Sequence, residues 1–360
     1  MPARSILSLL LAPVCALVAQ APPPAPLDAA DRKAVLETLA LKLKTTYVFP
    51  EVAGKLAAAL QAKAAAGGYD GATTTRAFAE ALSRDLRELG NDGHFRVIVD
   101  PRFKDEDDTG ALPTREEIAR GHQEAASMAF GLEKLDRLPG NVGYLEIRGF
   151  GPPEFVGAAY AQALSLLAGS GAVIIDLRRN NGGRPESVAR LMSHFFPEGD
   201  SRHLNDIYDR PSGSTQQFWT DPSVGPRFTG PVYVLTSRRT FSGGEECAYD
   251  FQTQKRGTLV GETTGGGSNP VSPMSLGRGL VLFNPTALSI NPVTKTNWEH
   301  VGVKPDLAVP AAEALKTAYA AALKGILQKE QDPDERRGLE AILARVERGE
   351  PETPSYAPRR

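Results

Sequence analysis

The sequence predicts an α/β protein that begins with a small helical bundle. Two observations carry this. Before residue 90, leucines and other apolar side chains recur every three to four positions, the period of a helix packed on one face. From about residue 130 to 310, short apolar runs alternate with helix-period segments. One of those runs, residues 172–177 (AVIIDL), is apolar almost throughout, as in a strand buried on both faces of a parallel sheet.

The elements follow in order. Residues 1–21 read as an export signal, with Arg4 as the positive end, an apolar stretch over residues 6–18, and Ala19-Gln20-Ala21 as a small-x-small cleavage site. Pro13 interrupts the apolar run, which is short for a bilayer span. Lipidation at Cys15 would call for a small residue before it, and Val14 stands there. With the signal removed, Cys247 is the remaining cysteine, so no internal disulfide is expected. Residues 22–27 form a Pro-rich spacer.

An N-terminal helical domain is expected over residues 28–110. Its helices fall at residues 31–43, 51–66 and 75–89, broken at Pro50 and at Gly67-Gly68. Asn91-Asp92-Gly93 then turns the chain into a strand over residues 94–99 that starts with His94. The α/β domain is expected over residues 111–330. Thr114 and Glu117 can cap a helix from Arg115. Strands are expected at residues 142–147, 172–177, 232–235, 258–260 and 286–288. Helices are expected at residues 155–167, 186–196, from Glu245 onward, and at 311–328. Residues 200–230 are polar and show little periodicity. A charged tail over residues 331–360 contains a helical segment at 335–346.

Composition narrows the chemistry. With 41% hydrophobic and 23% charged residues the chain is an ordinary globular protein, and a net charge of −2 gives no electrostatic case for nucleic acid or an anionic membrane. HExxH and C-x-x-C are missing, so no metal site is expected, and without a P-loop or a G-x-G-x-x-G no cofactor is expected either. The G-x-S-x-G elbow and S-x-x-K are also missing, which argues against two common serine-hydrolase folds.

What remains is Ser242, on a turn between an apolar strand and a helix and followed by Gly243 and Gly244. N–H groups after such a serine point outward at the positive end of a helix, the arrangement a nucleophile and oxyanion hole require. Taken alone, Ser242 with Glu245 describes an ordinary capping box. Gly182-Gly183, after the 172–177 strand, could bring a second set of N–H groups to a ligand. Of the five histidines, His94 follows a Gly-containing turn from which a side chain can reach across a cleft, while His122, His194, His203 and His300 sit in ordinary helical or polar contexts.

The segments NDGH, DLRRNNGG, TSRRTFSGGEE, VGETTGGG and NWEHVGVKPD occur in this order, and together they resemble the tail-specific (C-terminal processing) serine peptidase family. The closer similarity is to the branch of the tricorn protease core and the interphotoreceptor retinoid-binding protein repeats. The resemblance implies a ClpP/crotonase-like ββα spiral catalytic domain and Ser242 as nucleophile. It implies oxyanion N–H groups from Gly243 and from Gly182 or Gly183. One branch of the family carries a lysine base twenty-five residues after the serine; here that position is Gly267. The resemblance therefore implies His94 as base and Glu299 as the residue that orients it. The Glu245 carboxylate is expected to support the turn, and Arg178 to make a structural ion pair.

About thirty residues separate Val99 from Met128, too few for an inserted PDZ-like module. Substrate would then meet the cleft itself, including the Gly265-Gly266-Gly267 loop. The expected activity is that of an exported serine endopeptidase, periplasmic or extracellular, acting on unstructured or C-terminal segments of a peptide or protein. The alternatives are a non-catalytic lipid or peptide carrier on the same fold, and an acyl-ester hydrolase using the same triad.

Overall fold

The computed structural model describes residues 25–103, 105 and 114–350. The expected signal, half of the spacer and the last ten residues of the tail lie outside the described residues.

Three helices come first: α1 (Ala29–Thr46), α2 (Pro50–Ala65) and α3 (Thr75–Gly90). Asp28 caps α1 by accepting the Asp31 N–H at 2.8 Å, Pro50 takes the first position of α2, and Thr74 accepts the Ala77 N–H. Asn91, in the left-handed region at φ 48°, stops α3 and turns the chain toward β1 (Arg96–Val99). The helices bury Leu39, Leu43, Leu60, Phe78 and Leu82 against one another, and Leu276, Leu280 and Leu282 complete that core from far along the chain.

Then come α4 (Arg115–Ser127), β2 (Leu132–Leu138), β3 (Val142–Ile147), α5 (Pro153–Leu167), β4 (Ala172–Asp176) and α6 (Pro185–Ser193). A hairpin of β5 (His203–Asp209) and β6 (Ser214–Trp219) precedes β7 (Val232–Thr236), α7 (Gly243–Thr253) and β8 (Thr258–Gly261). The chain continues through β9 (Val271–Gly277), β10 (Leu280–Pro285), β11 (Ala287–Ile290) and β12 (Leu307–Ala308) to α8 (Ala311–Leu327) and α9 (Pro333–Arg348).

The largest sheet has the order β12-β8-β7-β4-β3-β2, parallel except for β2 at one edge. The apolar run of β4 is explained by its two covered faces. Ile175 packs with Val156 and Leu164 of α5 and Phe251 of α7, whereas Ile174 packs with Ala318 and Leu323 of α8. This is the expected mixed α/β architecture with helices preceding it.

Two relationships position the site. Because β4 and β7 are adjacent and parallel, the loops leaving their carboxyl ends lie side by side. They are stitched together where Phe241 N–H donates to Asn180 O at 3.0 Å and Thr240 Oγ1 donates to Leu177 O at 2.8 Å. Separately, β1 pairs antiparallel with β10, Arg96 opposite Phe283, which fixes the end of the N-terminal segment against the rest of the molecule.

The structure differs from the sequence reading in six strands. β2, β5, β6, β9, β10 and the two-residue β12 were not anticipated, and the expected polar stretch over residues 200–230 contains the β5–β6 hairpin. Most of β6 is exposed on both faces, so its side chains carry no apolar–polar alternation to read. The strand expected from His94 begins at Arg96, leaving His94 in the turn.

Candidate active site

Ser242 stands at the N-cap of α7 with φ 54° and ψ −125°, a conformation that costs a non-glycine residue about 1–3 kcal/mol. Surrounding bonds hold it there. Its N–H donates to Glu245 Oε2 at 3.0 Å, and its carbonyl accepts the Glu245 and Glu246 N–H groups at 2.8 and 3.0 Å. The buried Glu245 also accepts the Thr264 hydroxyl and the N–H groups of Gly266 and Gly267, the last two at 2.7 and 2.8 Å. Burial pushes the Glu245 carboxyl above its ordinary range while these donors pull it back. One carboxylate thus ties the serine turn to the triple-glycine loop.

The Asn180–Gly183 loop presses directly on this turn. A Cβ on Gly182 would lie 2.6 Å from Ser242 Cβ, so only a glycine permits the approach. The Gly182 N–H is committed to Asn180 Oδ1 at 2.8 Å, and buried Asn180 in turn donates to Ile147 O at 3.0 Å. The N–H groups of Gly183 and Gly243 have no acceptor among the described residues. They are close neighbours, since a Cβ on Gly243 would stand 3.0 Å from Gly183 N.

His94 lies between two carboxylates. Asp92, whose side chain is 1% exposed, accepts the His94 N–H through Oδ1 at 2.9 Å and brings that oxygen to 3.5 Å from the ring Nδ1. Its Oδ2 accepts from Asn269 Nδ2 at 3.2 Å. Burial alone would raise the Asp92 carboxyl, but the His94 side chain and N–H, together with Asn269, bring it below the ordinary carboxylate range. Glu299 Oε2 accepts the Ser268 N–H at 2.5 Å, the Ser268 hydroxyl at 3.0 Å and the Asn269 N–H at 3.2 Å. Its Oε1 is buried without a hydrogen-bond partner, 3.6 Å from His300 Nδ1. Burial, and then the charge of Asp92, push the Glu299 carboxyl up, while Ser268 and the charge of His94 oppose them.

The His94 ring also packs on Phe241, centroids 4.6 Å apart at 44°. Room for Phe241 comes from glycine backbone: a Cβ at Gly93, Gly265 or Gly267 would lie 3.2, 2.8 or 2.2 Å from its ring. At Gly267 that Cβ would also be 2.8 Å from His94 Cε1.

Ser242, Gly183, Gly243 and His94 line one cavity of about 810 Å³. Glu299 and Gly182 stand behind its wall, and the loop after β8 contributes Ser268 and Pro270 to the lining, whereas Gly265, Gly266 and Gly267 do not reach it. Arg178 pairs with Asp176 at 2.6 Å, the structural role its sequence context suggested. Three neighbours of the site were not singled out from the sequence for their chemistry: Asp92, Asn180 and the cavity-lining Glu246. The D-x-H spacing was the available signal for Asp92. Among the described residues no group of three or more His, Cys, Asp or Glu side chains is placed to hold a metal ion.

Comparison with known proteins gives the class. Residues 141–309, from the start of β3 through β12, match peptidase family S41, and residues 29–126 match the N-terminal domain of peptidase S41 in eukaryotic IRBP. These are serine-type hydrolases acting on peptide bonds. The chain belongs to peptidase family S41.

Two relatives illustrate the distance. The tricorn protease of Thermoplasma volcanium is 26% identical over 220 residues, 61% of this chain and 19% of that protein. The chloroplastic carboxyl-terminal-processing peptidase 1 of Arabidopsis thaliana is 28% identical over 139 residues, 39% of this chain and 28% of that protein. The chain therefore spans less than a third of either relative's length. Among solved structures, a lipoprotein from Streptococcus agalactiae matches with a TM-score of 0.54 at 13% identity, covering 88% of this chain and 99% of that one, a likeness of fold alone.

Proposed function

We propose that the chain is a serine endopeptidase in which Ser242 is the nucleophile and His94 the general base. The observation that carries this reading is the strained Ser242 turn, facing the same cavity as His94 and flanked by the two uncommitted N–H groups of Gly183 and Gly243. His94 accepts the Ser242 proton as Oγ attacks a substrate carbonyl, then delivers it to the departing amine. The negative oxygen accepts from Gly183 and Gly243 N–H; Gly182, whose N–H already serves Asn180, shapes the turn instead. Water then releases the acyl group by the same route in reverse.

Asp92 and Glu299 share the support of His94. Asp92 faces Nδ1, which leaves Nε2 for the serine, and Glu299 adds negative charge that favours the imidazolium. Neither ring nitrogen has a hydrogen-bond partner among the described residues, a looseness common where such bonds tighten only around substrate. The substrate is an unstructured or C-terminal segment that can enter the cavity in extended form, passing Ser268 and Pro270 of the loop after the triple glycine. Export to the periplasm or beyond follows from the signal-like residues 1–21. No helix among the described residues is long and apolar enough to cross a membrane.

The test is covalent labelling by a fluorophosphonate. The wild-type protein should label at Ser242 and lose peptidase activity, and Ser242→Ala should neither label nor cleave peptide. A folded wild-type protein that resists the probe and cleaves no unstructured peptide would remove this reading.

A further inference from the structure

Glu246 is the only carboxylate among the described residues that line the cavity holding Ser242 and His94. It follows Ser242 by four positions, one turn into α7. Ser242 is the non-helical N-cap, so what brings the two side chains together is the cavity both line, with Glu246 about 6 Å further along the axis. Glu246 is 4% exposed, and its Oε1 has no hydrogen-bond partner. Asp250 Oδ2 and Asn205 Oδ1, from the residues beside it, are also buried and unpartnered.

With both carboxyls ionised all three atoms are acceptors, and the charged groups nearest Glu246 are the like-charged Glu186 and Asp250, with the Asn205 side chain beside them. No lysine, arginine or histidine among the described residues pairs with Glu246 or Asp250. The exposed Arg87, Arg96 and Arg184 line the same cavity without reaching them. A buried carboxylate without a cation is unfavourable, and the N-terminal end of α7 supplies only a partial positive charge. The missing group is a donor, and the cavity is the side from which one can arrive.

We propose that Glu246 forms the floor of the subsite for the residue preceding the scissile bond, and that this subsite takes lysine or arginine. This deepens the peptidase reading above and rests on it. When Ser242 attacks a carbonyl, the side chain on that residue starts beside the nucleophile. A lysine or arginine stem is about as long as the single helical turn to Glu246. An ammonium or guanidinium group brings several donors to a place where acceptors stand unused. Trp298, 3% exposed, and Pro185 line the same cavity and give apolar wall for the methylenes, and an indole face also favours a cation.

The test uses peptides that differ only in the residue before the scissile bond: lysine, arginine, leucine and norleucine, the last matching the lysine stem without its charge. The wild-type protein should cleave the lysine peptide with a kcat/KM about tenfold or more above the norleucine peptide. In Glu246→Gln, which keeps shape and removes charge, that ratio should fall to about one. Fluorophosphonate labelling of Ser242 in the variant shows that the site is still assembled. Should the variant fail to fold, wild-type protein answers by inhibition: n-pentylammonium should protect Ser242 from the probe at lower concentration than n-pentanol. A wild type that cleaves norleucine or leucine peptides as well as lysine, or a lysine preference that survives in Glu246→Gln, overturns the proposal while leaving the peptidase standing. Loss of labelling and of all cleavage in the wild type overturns both.

Discussion

Asp92 Oδ1 lies 3.5 Å from His94 Nδ1 and accepts the His94 backbone N–H at 2.9 Å, so one carboxylate fixes both the ring and the chain that carries it. This gives Asp92 an orienting geometry, and the charge of Glu299 also acts on His94. Asp92→Asn should lower kcat by about 10²-fold, within the range a general base contributes, because the amide can favour the wrong imidazole tautomer. KM should change little, since Asp92 does not line the cavity. A variant with undiminished kcat would transfer the orienting role to Glu299 alone.

Position 267 is where a sister branch of the family carries its lysine base. In this chain the space is already filled, because a Cβ there would stand 2.2 Å from Phe241 Cζ and 2.8 Å from His94 Cε1. The histidine and a lysine at this position compete for one volume. Gly267→Lys should therefore fail to build an alternative base. It should instead displace Phe241 and His94, costing roughly 1–3 kcal/mol of stability as an overpacked core does, together with most of the activity. Urea denaturation and fluorophosphonate labelling would measure the two effects. An active, fully stable Gly267→Lys would refute the steric argument.

The layered core was legible in the sequence because burial on two faces leaves a mark, as in the unbroken apolar run of β4. The β5–β6 hairpin left little, since β6 is wet on both faces and looks like loop, and β5 buries the polar Asn205 beside Leu204. The site was legible in part. Ser242 by itself reads as a helix cap, and it is the ordered motifs along the chain that mark it as a candidate nucleophile. Asp92 read as a turn residue, because its Asn269 partner is 177 positions away and nothing local shows the carboxylate buried. The same holds for Glu246, whose meaning depends on lining a cavity. Glu245 was legible as a cap, but its bonds to Gly266 and Gly267 were not.

Those bonds make Glu245 a stability residue with a functional consequence. Its two oxygens accept from Ser242 N, Thr264 Oγ1, Gly266 N and Gly267 N, so every contact needs an acceptor. Glu245→Gln turns one of those oxygens into a donor facing donors, and the stranded N–H groups should cost about 1–3 kcal/mol. Chemical denaturation should show the loss. Ser242 labelling should slow as well, because the strained turn loses the bond that holds its N–H. A Glu245→Gln protein as stable and as reactive as wild type would show that the loop is held by other means.

The buried acids of α7 make stability depend on pH in a direction opposite to that of surface carboxylates. Burial pushes Glu246 from 4.5 up to about 7, and raises Asp250 as well. Of the facing groups, the Asn205 side chain opposes this by more than the charge of Glu186 adds to it, without cancelling the effect of burial, and the charge of Glu246 in turn raises Asp250. Between pH 4.5 and about 7 the folded chain holds a proton on Glu246 that the unfolded chain has released. In that window stability must fall as pH rises, and above about 7 the fold carries the full burden of a buried carboxylate. Glu246→Gln removes this titration. The variant should therefore gain stability relative to wild type as pH rises from 5 to 8, with Asp250 leaving a residual slope of the same sign in both proteins. Melting temperatures of the two proteins across that range give the comparison. A stability difference independent of pH would mean that Glu246 is charged in the folded state throughout, already neutralised by a group other than a proton.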